Sequence, residues 1–130
     1  MSNRILTAEG WQGRVRDKLG ISDAYLPDTT LNQPECITIA EANIIKIVPD
    51  YASLSGDDRV YLEAATVCEC AVIVCSTMKA RLPERTAGPH AQYDVKADWN
   101  KRRTELESER NRYLAEVVTI PAVTYFKVSR

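Results

Sequence analysis

Cysteine is the residue type here with the widest chemical reach, and three of the four, Cys68, Cys70 and Cys75, crowd into one apolar stretch. Thiolates at short spacing suggest zinc, but such a site needs ligand pairs at turn spacing and a second pair elsewhere. On a helix, Cys68 and Cys75 share a face roughly 10 Å apart along the axis, while Cys70 turns away. That separation also excludes a disulfide between them. They read as small buried hydrophobes, and Cys36 has no obvious partner. His90, the single histidine, sits in Gly88-Pro89-His90 with no nucleophile signature around it, so it reads as a surface-loop residue. Glu105, Glu107 and Glu109 alternate around a helix and do not converge as a general acid and base would. Lys101-Arg102-Arg103 and Arg110-Asn111-Arg112 could touch phosphates, but glutamates lie among them and no aromatic platform is interleaved. Glycine-rich phosphate loops are absent.

The elements that must carry these residues are mostly helical. Thr7 can cap a first helix whose Leu6, Trp11, Val15 and Leu19 fall near one face, with Gly20 as a left-handed stop. Ile21 to Gln33 reads as a connecting loop. A second helix starts near Pro34 and buries Ile37, Ala40, Ile44, Ile47 and Val48, with Glu41 and Lys46 pointing elsewhere. Pro49-Asp50 ends it. The third helix opens on Ser55-Gly56-Asp57-Asp58, runs from Asp58 to Leu82 and is about 37 Å long. Arg59, Glu63, Thr66, Thr77 and Arg81 line its polar strip, and between Thr66 and Met78 only Glu69 is charged, so that half should be buried on most sides. Cys70–Cys75 could also be a buried strand, but the length of the pattern and the lack of turn residues favour helix. Pro83–Val95 reads as a loop. A fourth helix spans about Asp98 to Val118, with Trp99, Leu106, Tyr113 and Val117 on one stripe. Its glutamates and arginines both repel and attract along the helix, giving little net support.

The expected fold is therefore mainly α: a single domain over 1–130, a compact bundle of about four helices with a long central one. A short extended C-terminal arm, about 120–130, is apolar, aromatic and β-prone. It suits equally an edge packed on its own domain or an arm that pairs with another subunit.

Composition is that of an ordinary globular protein, 45% hydrophobic and 27% charged. A net charge of −1 argues against a dedicated nucleic-acid binder. Residues 1–65 hold 6 basic and 10 acidic side chains, and residues 66–130 hold 11 and 8, so the halves carry −4 and +3. Such polarity suits head-to-tail contacts between copies. Met1-Ser2-Asn3-Arg4 lacks the pattern of a signal peptide, and Glu63, Glu69 and Lys79 interrupt the best candidate for a membrane span. The expectation is a cytosolic protein with reduced cysteines, no membrane partner and no cofactor.

Several short motifs together resemble the head–tail connector (adaptor, or head-completion) proteins of long-tailed bacteriophages and prophages. Leu6-Thr7-Ala8-Glu9-Gly10-Trp11 with Arg14-Val15-Arg16 resembles the family's first helix, and Leu26-Pro27-Asp28 its following loop. Ala40-Glu41 sits where the next helix begins the core. The helix closing in Met78-Lys79-Ala80-Arg81-Leu82-Pro83 is similar, as are Tyr93-Asp94 and Asp98-Trp99 ahead of a charged helix. The resemblance covers most of the chain and includes no catalytic residue.

It implies a structural, non-enzymatic virion protein at the neck, assembled in the bacterial host cytoplasm as a homo-oligomeric, dodecameric ring. The ring would dock on the portal protein, extend the DNA channel and receive a head-closure or tail-completion protein. Double-stranded DNA would pass through without sequence readout. Candidate interface residues on the loop are Arg85, His90 and Tyr93. Those on the arm are Val123, Tyr125, Phe126, Lys127, Val128 and Arg130. The alternative is a helical DNA-associated packaging accessory or regulator, with Lys101, Arg102, Arg103, Arg110 and Arg112 on phosphates.

Overall fold

A computed structural model describes residues 3–81 and 99–118. Among these residues, five α-helices follow in order: α1 (Trp11–Leu19), α2 (Asp28–Leu31), α3 (Ile39–Ile47), α4 (Gly56–Arg81) and α5 (Trp99–Val117). A π-helical turn, Pro34–Thr38, leads into α3, and a 3₁₀ turn, Tyr51–Ser53, leads toward α4. Among the described residues there is no strand, and the Cys70–Cys75 stretch is helical. The expected loop Pro83–Val95 and arm 120–130, with every interface candidate on them, lie outside the described residues.

The start of α1 corrects the sequence reading. Thr7 is exposed, and the residue ahead of the helix is Gly10, at φ 88 with no side-chain cap. The helix begins at Trp11, and ahead of it Ile5 and Leu6 are both buried. The other end is as expected. Gly20 at φ 66 donates its N–H to Asp17 O at 3.3 Å, and Ile21 donates to Arg16 O at 3.2 Å. Those two bonds form a Schellman closure, which only a residue without a Cβ penalty adopts cheaply.

The stretch read as a loop contains the single turn α2, started by Pro27 and anchored by buried Leu31. Pro34 opens the next helix, as its fixed φ favours. Ile37, Ala40, Ile44 and Val48 are buried, but Ile47 is 42% exposed and Glu41 only 2%. Both reverse the expectation, and Glu41 is explained below.

α4 is the central element, about 39 Å long. Every residue from Ala65 to Ala71 is buried, Glu69 included, so this stretch is enclosed by its neighbours. Thr66 belongs to that core and not to a polar strip; its hydroxyl donates to Leu62 O at 2.9 Å. A hydroxyl satisfied by its own helix can be buried without an unpaired polar group. By length and composition, Gly56–Met78 is long and apolar enough to cross a membrane. Of its most apolar window 61% is covered by the rest of the fold, as in a core helix of a helical bundle.

α5 is mostly polar and lies antiparallel along α4, with Tyr113 near Tyr61 (ring centroids 6.3 Å) and Arg110 on Glu69. Leu106 and Leu114 are its buried anchors, with Trp99, Tyr113 and Val117 packed partly beside them. Leu114 lies off the expected stripe. Two buried leucines contribute about 1.5–3 kcal/mol each, modest for a helix of this length, so its charges matter.

Candidate functional site

Among the polar junctions that tie the described helices together, three centre on Glu41, Glu69 and Glu109. The first is Glu41 on α3. Its Oε2 accepts backbone N–H bonds from Ile5 at 2.7 Å, Leu6 at 3.0 Å and Arg4 at 3.0 Å, while Oε1 accepts from Arg4 at 2.9 Å. From α4, Arg59 donates to Ile5 O at 2.7 Å and pairs with Glu63 at 3.0 Å. A carboxylate holding successive amides is charge-assisted at every bond, which makes its burial tolerable.

The second junction is Glu69 on α4, 5% exposed. Arg110 of α5 donates to Oε1 at 2.6 Å and Asn43 of α3 to Oε2 at 2.8 Å, so one carboxylate joins three helices. The third joins α1 to α5. Lys18 pairs with Glu109, Tyr113 Oη donates to the same Glu109 oxygen at 2.9 Å, and Arg102 donates to Lys18 O. Lys18 Nζ lies 5.7 Å from the Tyr113 ring centroid and the Arg112 guanidinium 5.5 Å. Burial pulls Lys18 down, but its hydrogen bond to Glu109 and nearby negative charge outweigh it and raise the ammonium above its ordinary value. Burial pushes Glu109 up, yet the bonds from Lys18 and Tyr113 bring its carboxyl below the ordinary range.

All four cysteines are buried free thiols. Cys36 has a neighbour the sequence did not reveal: a hydrogen bond with Cys70, with burial, pushes the Cys70 thiol well up. Burial, followed by the charge of Glu109, lifts Cys68 to about 11, and burial also raises Cys75. Thiols so raised hold almost no thiolate near neutrality and are weak nucleophiles and metal ligands as they stand.

The phosphate candidates all lie on α5 but do not form one free basic stripe. Arg102 and Arg110 are half-buried and spent on Lys18 O and Glu69. Lys101, Arg103 and Arg112 are exposed, Arg112 lying over Tyr113. Sequence reasoning missed Glu41 and Glu69 as structural centres; the isolation of Glu69 within an apolar run was the one available signal. The arrangement is suited to holding helices in register by opposed charge. Comparison with protein-family models, curated proteins and solved structures finds no match.

Proposed function

We propose that this chain is a structural subunit of a head–tail connector, forming a ring between a capsid portal and the neck or tail. What carries the reading is a helical body whose central helix is tied to α3 and α5 through buried Glu69, with segments 82–98 and 119–130 flanking α5. That is a suitable plan for a subunit that keeps its shape while arms grip its neighbours. The sequence motifs quoted above, spread over most of the chain, support it independently. The opposite charges of the two halves favour heterologous contacts, the kind that close a ring.

The test is to mix the purified chain with the portal protein encoded beside it and image the mixture by electron microscopy. Rings stacked on the portal are expected; a stable monomer or dimer that ignores the portal would overturn the reading. Deleting residues 120–130 should leave the helical fold intact and weaken stacking. The second reading, a DNA-associated packaging accessory, rests on exposed Lys101, Arg103 and Arg112. A salt-sensitive shift of duplex DNA at physiological ionic strength would favour it.

A further inference from the structure

We propose that Asn3–Leu6 is an exchangeable strap, and that the socket it fills on α3 and α4 accepts the same segment from a second copy of this chain. This rests on the ring-forming reading only for the identity of the partner.

The socket recognises a bent backbone, whose successive N–H groups converge on one carboxylate, more than side chains, although Arg4 Nε also lies 4.0 Å from Glu41 Oε1. Glu41 takes the N–H groups of Arg4, Ile5 and Leu6, and Arg59 takes the carbonyl of Ile5. Ile5 and Leu6 are the apolar anchors, 0% and 1% exposed. Glu41 and Arg59 stand 35 to 54 residues along the chain from what they hold, so nothing in the socket depends on covalent continuity. An identical strap from a neighbour would restore every one of these contacts. The cis and trans arrangements therefore differ only in the hinge and in the new surface buried between copies.

The hinge is loosely seated. Thr7, Ala8, Glu9 and Gly10 are all exposed. The bond Thr7 N–H to Ile5 O joins the hinge to the strap and would travel with it, and Gly13 N–H to Gly10 O stays at the start of α1. A hollow of about 450 Å³ opens between the strap and α1, lined by Asn3, Leu6, Trp11, Gln12 and the hinge. Extended, four hinge residues reach about 14 Å. A receiving socket must then lie against the donor's α1 start, which confines exchange to directly adjacent subunits.

The experiment uses the full chain with a photo-reactive amino acid in place of exposed Arg4, made in ¹⁵N-labelled and unlabelled forms. The forms are mixed one to one, allowed to associate with and without the portal protein, illuminated and digested. In the associated fraction, crosslinks from position 4 to the α3 peptide should be mixed-isotope in roughly half of cases, as random pairing demands. Same-isotope crosslinks alone in an associated fraction would overturn strap exchange and leave the ring reading standing. A chain that stays monomeric in both conditions would overturn both. Deleting exposed Ala8 shortens the hinge and should let mixed-isotope crosslinks reach that half at a lower protein concentration, because a strained hinge favours exchange; an unchanged concentration dependence counts against the proposal.

Discussion

Replacing Glu41 by alanine is the sharpest test of how the strap is held. The substitution removes the acceptor for two fully buried N–H groups, those of Ile5 and Leu6, and for the partly buried N–H of Arg4. A buried donor left unpaired costs about 1–3 kcal/mol, so the strap would lose about 2–6 kcal/mol if it stayed in place. It need not stay. Letting go exposes Ile5 and Leu6, which costs about 1.5–3 kcal/mol each and caps the loss at a similar level. Relief of the carboxylate's own desolvation offsets part of either cost, leaving about 3 kcal/mol. Glu41→Gln keeps one oxygen for the two buried amides but makes them neutral bonds, and its NH₂ faces Arg4 near solvent. About 1–2 kcal/mol is expected there. Urea unfolding gives the global values, and amide hydrogen exchange at Ile5 and Leu6 reads the strap directly. In Glu41→Ala those two amides should exchange nearly as fast as in an open chain, while amides of α4 around Ala65–Ala71 stay protected, their exchange quickening only by the factor set by the global loss. Protected strap amides with a global loss below about 0.5 kcal/mol, or equal damage from Gln and Ala, would refute the argument.

Glu69→Ala strands Arg110 and Asn43 at a half-buried junction and should cost about 2–4 kcal/mol; a double-mutant cycle with Arg110→Ala should show coupling above about 1 kcal/mol, and additivity would contradict the junction. The Glu109 carboxyl is held below its ordinary 4.5, so its contribution is present above about that pH and is lost as pH falls through the lower folded value. Lys18 is raised above 10.5, so its contribution is complete below that pH and is lost only as pH climbs past the folded value. Acid unfolding followed by circular dichroism should therefore be less steep in Glu109→Gln than in the parent, with little difference between the two slopes from pH 6 to 9. Leu106→Ala removes a fully buried anchor of α5 and should cost about 2–4 kcal/mol in urea, mostly as faster unfolding if α5 docks late.

Much of the helical frame was legible because backbone chemistry marks it locally. Gly20 and Pro34 set a stop and a start that one residue type performs best, and α4 and α5 lie within a residue or two of the expected bounds. α2 is a single turn, shorter than any window in which periodicity can be counted. The polar junctions stayed hidden for another reason. A glutamate beside Ala40 reads as solvent-facing, and its partners are backbone amides that carry no sequence signature at all. Glu109 and Arg110 were weighed against neighbours on their own helix, whereas their partners, Lys18 and Glu69, belong to α1 and α4. Periodicity reports which face is apolar; it cannot report that a charge on the seam has met its opposite.

The buried thiols give the molecule its own set of clocks. Cys36 and Cys70 close the seam between the π turn and α4, whereas Cys68 and Cys75 lie against charges of α5. An alkylating reagent can reach none of them until the covering helix lifts away, and the raised pKa of Cys68, Cys70 and Cys75 slows the reaction further. The order in which the four acquire a label, read by mass spectrometry on untagged protein, would therefore separate departure of α5 from opening at α3. Assembly that clamps either seam would silence its pair, making these cysteines native reporters of which surface a partner covers.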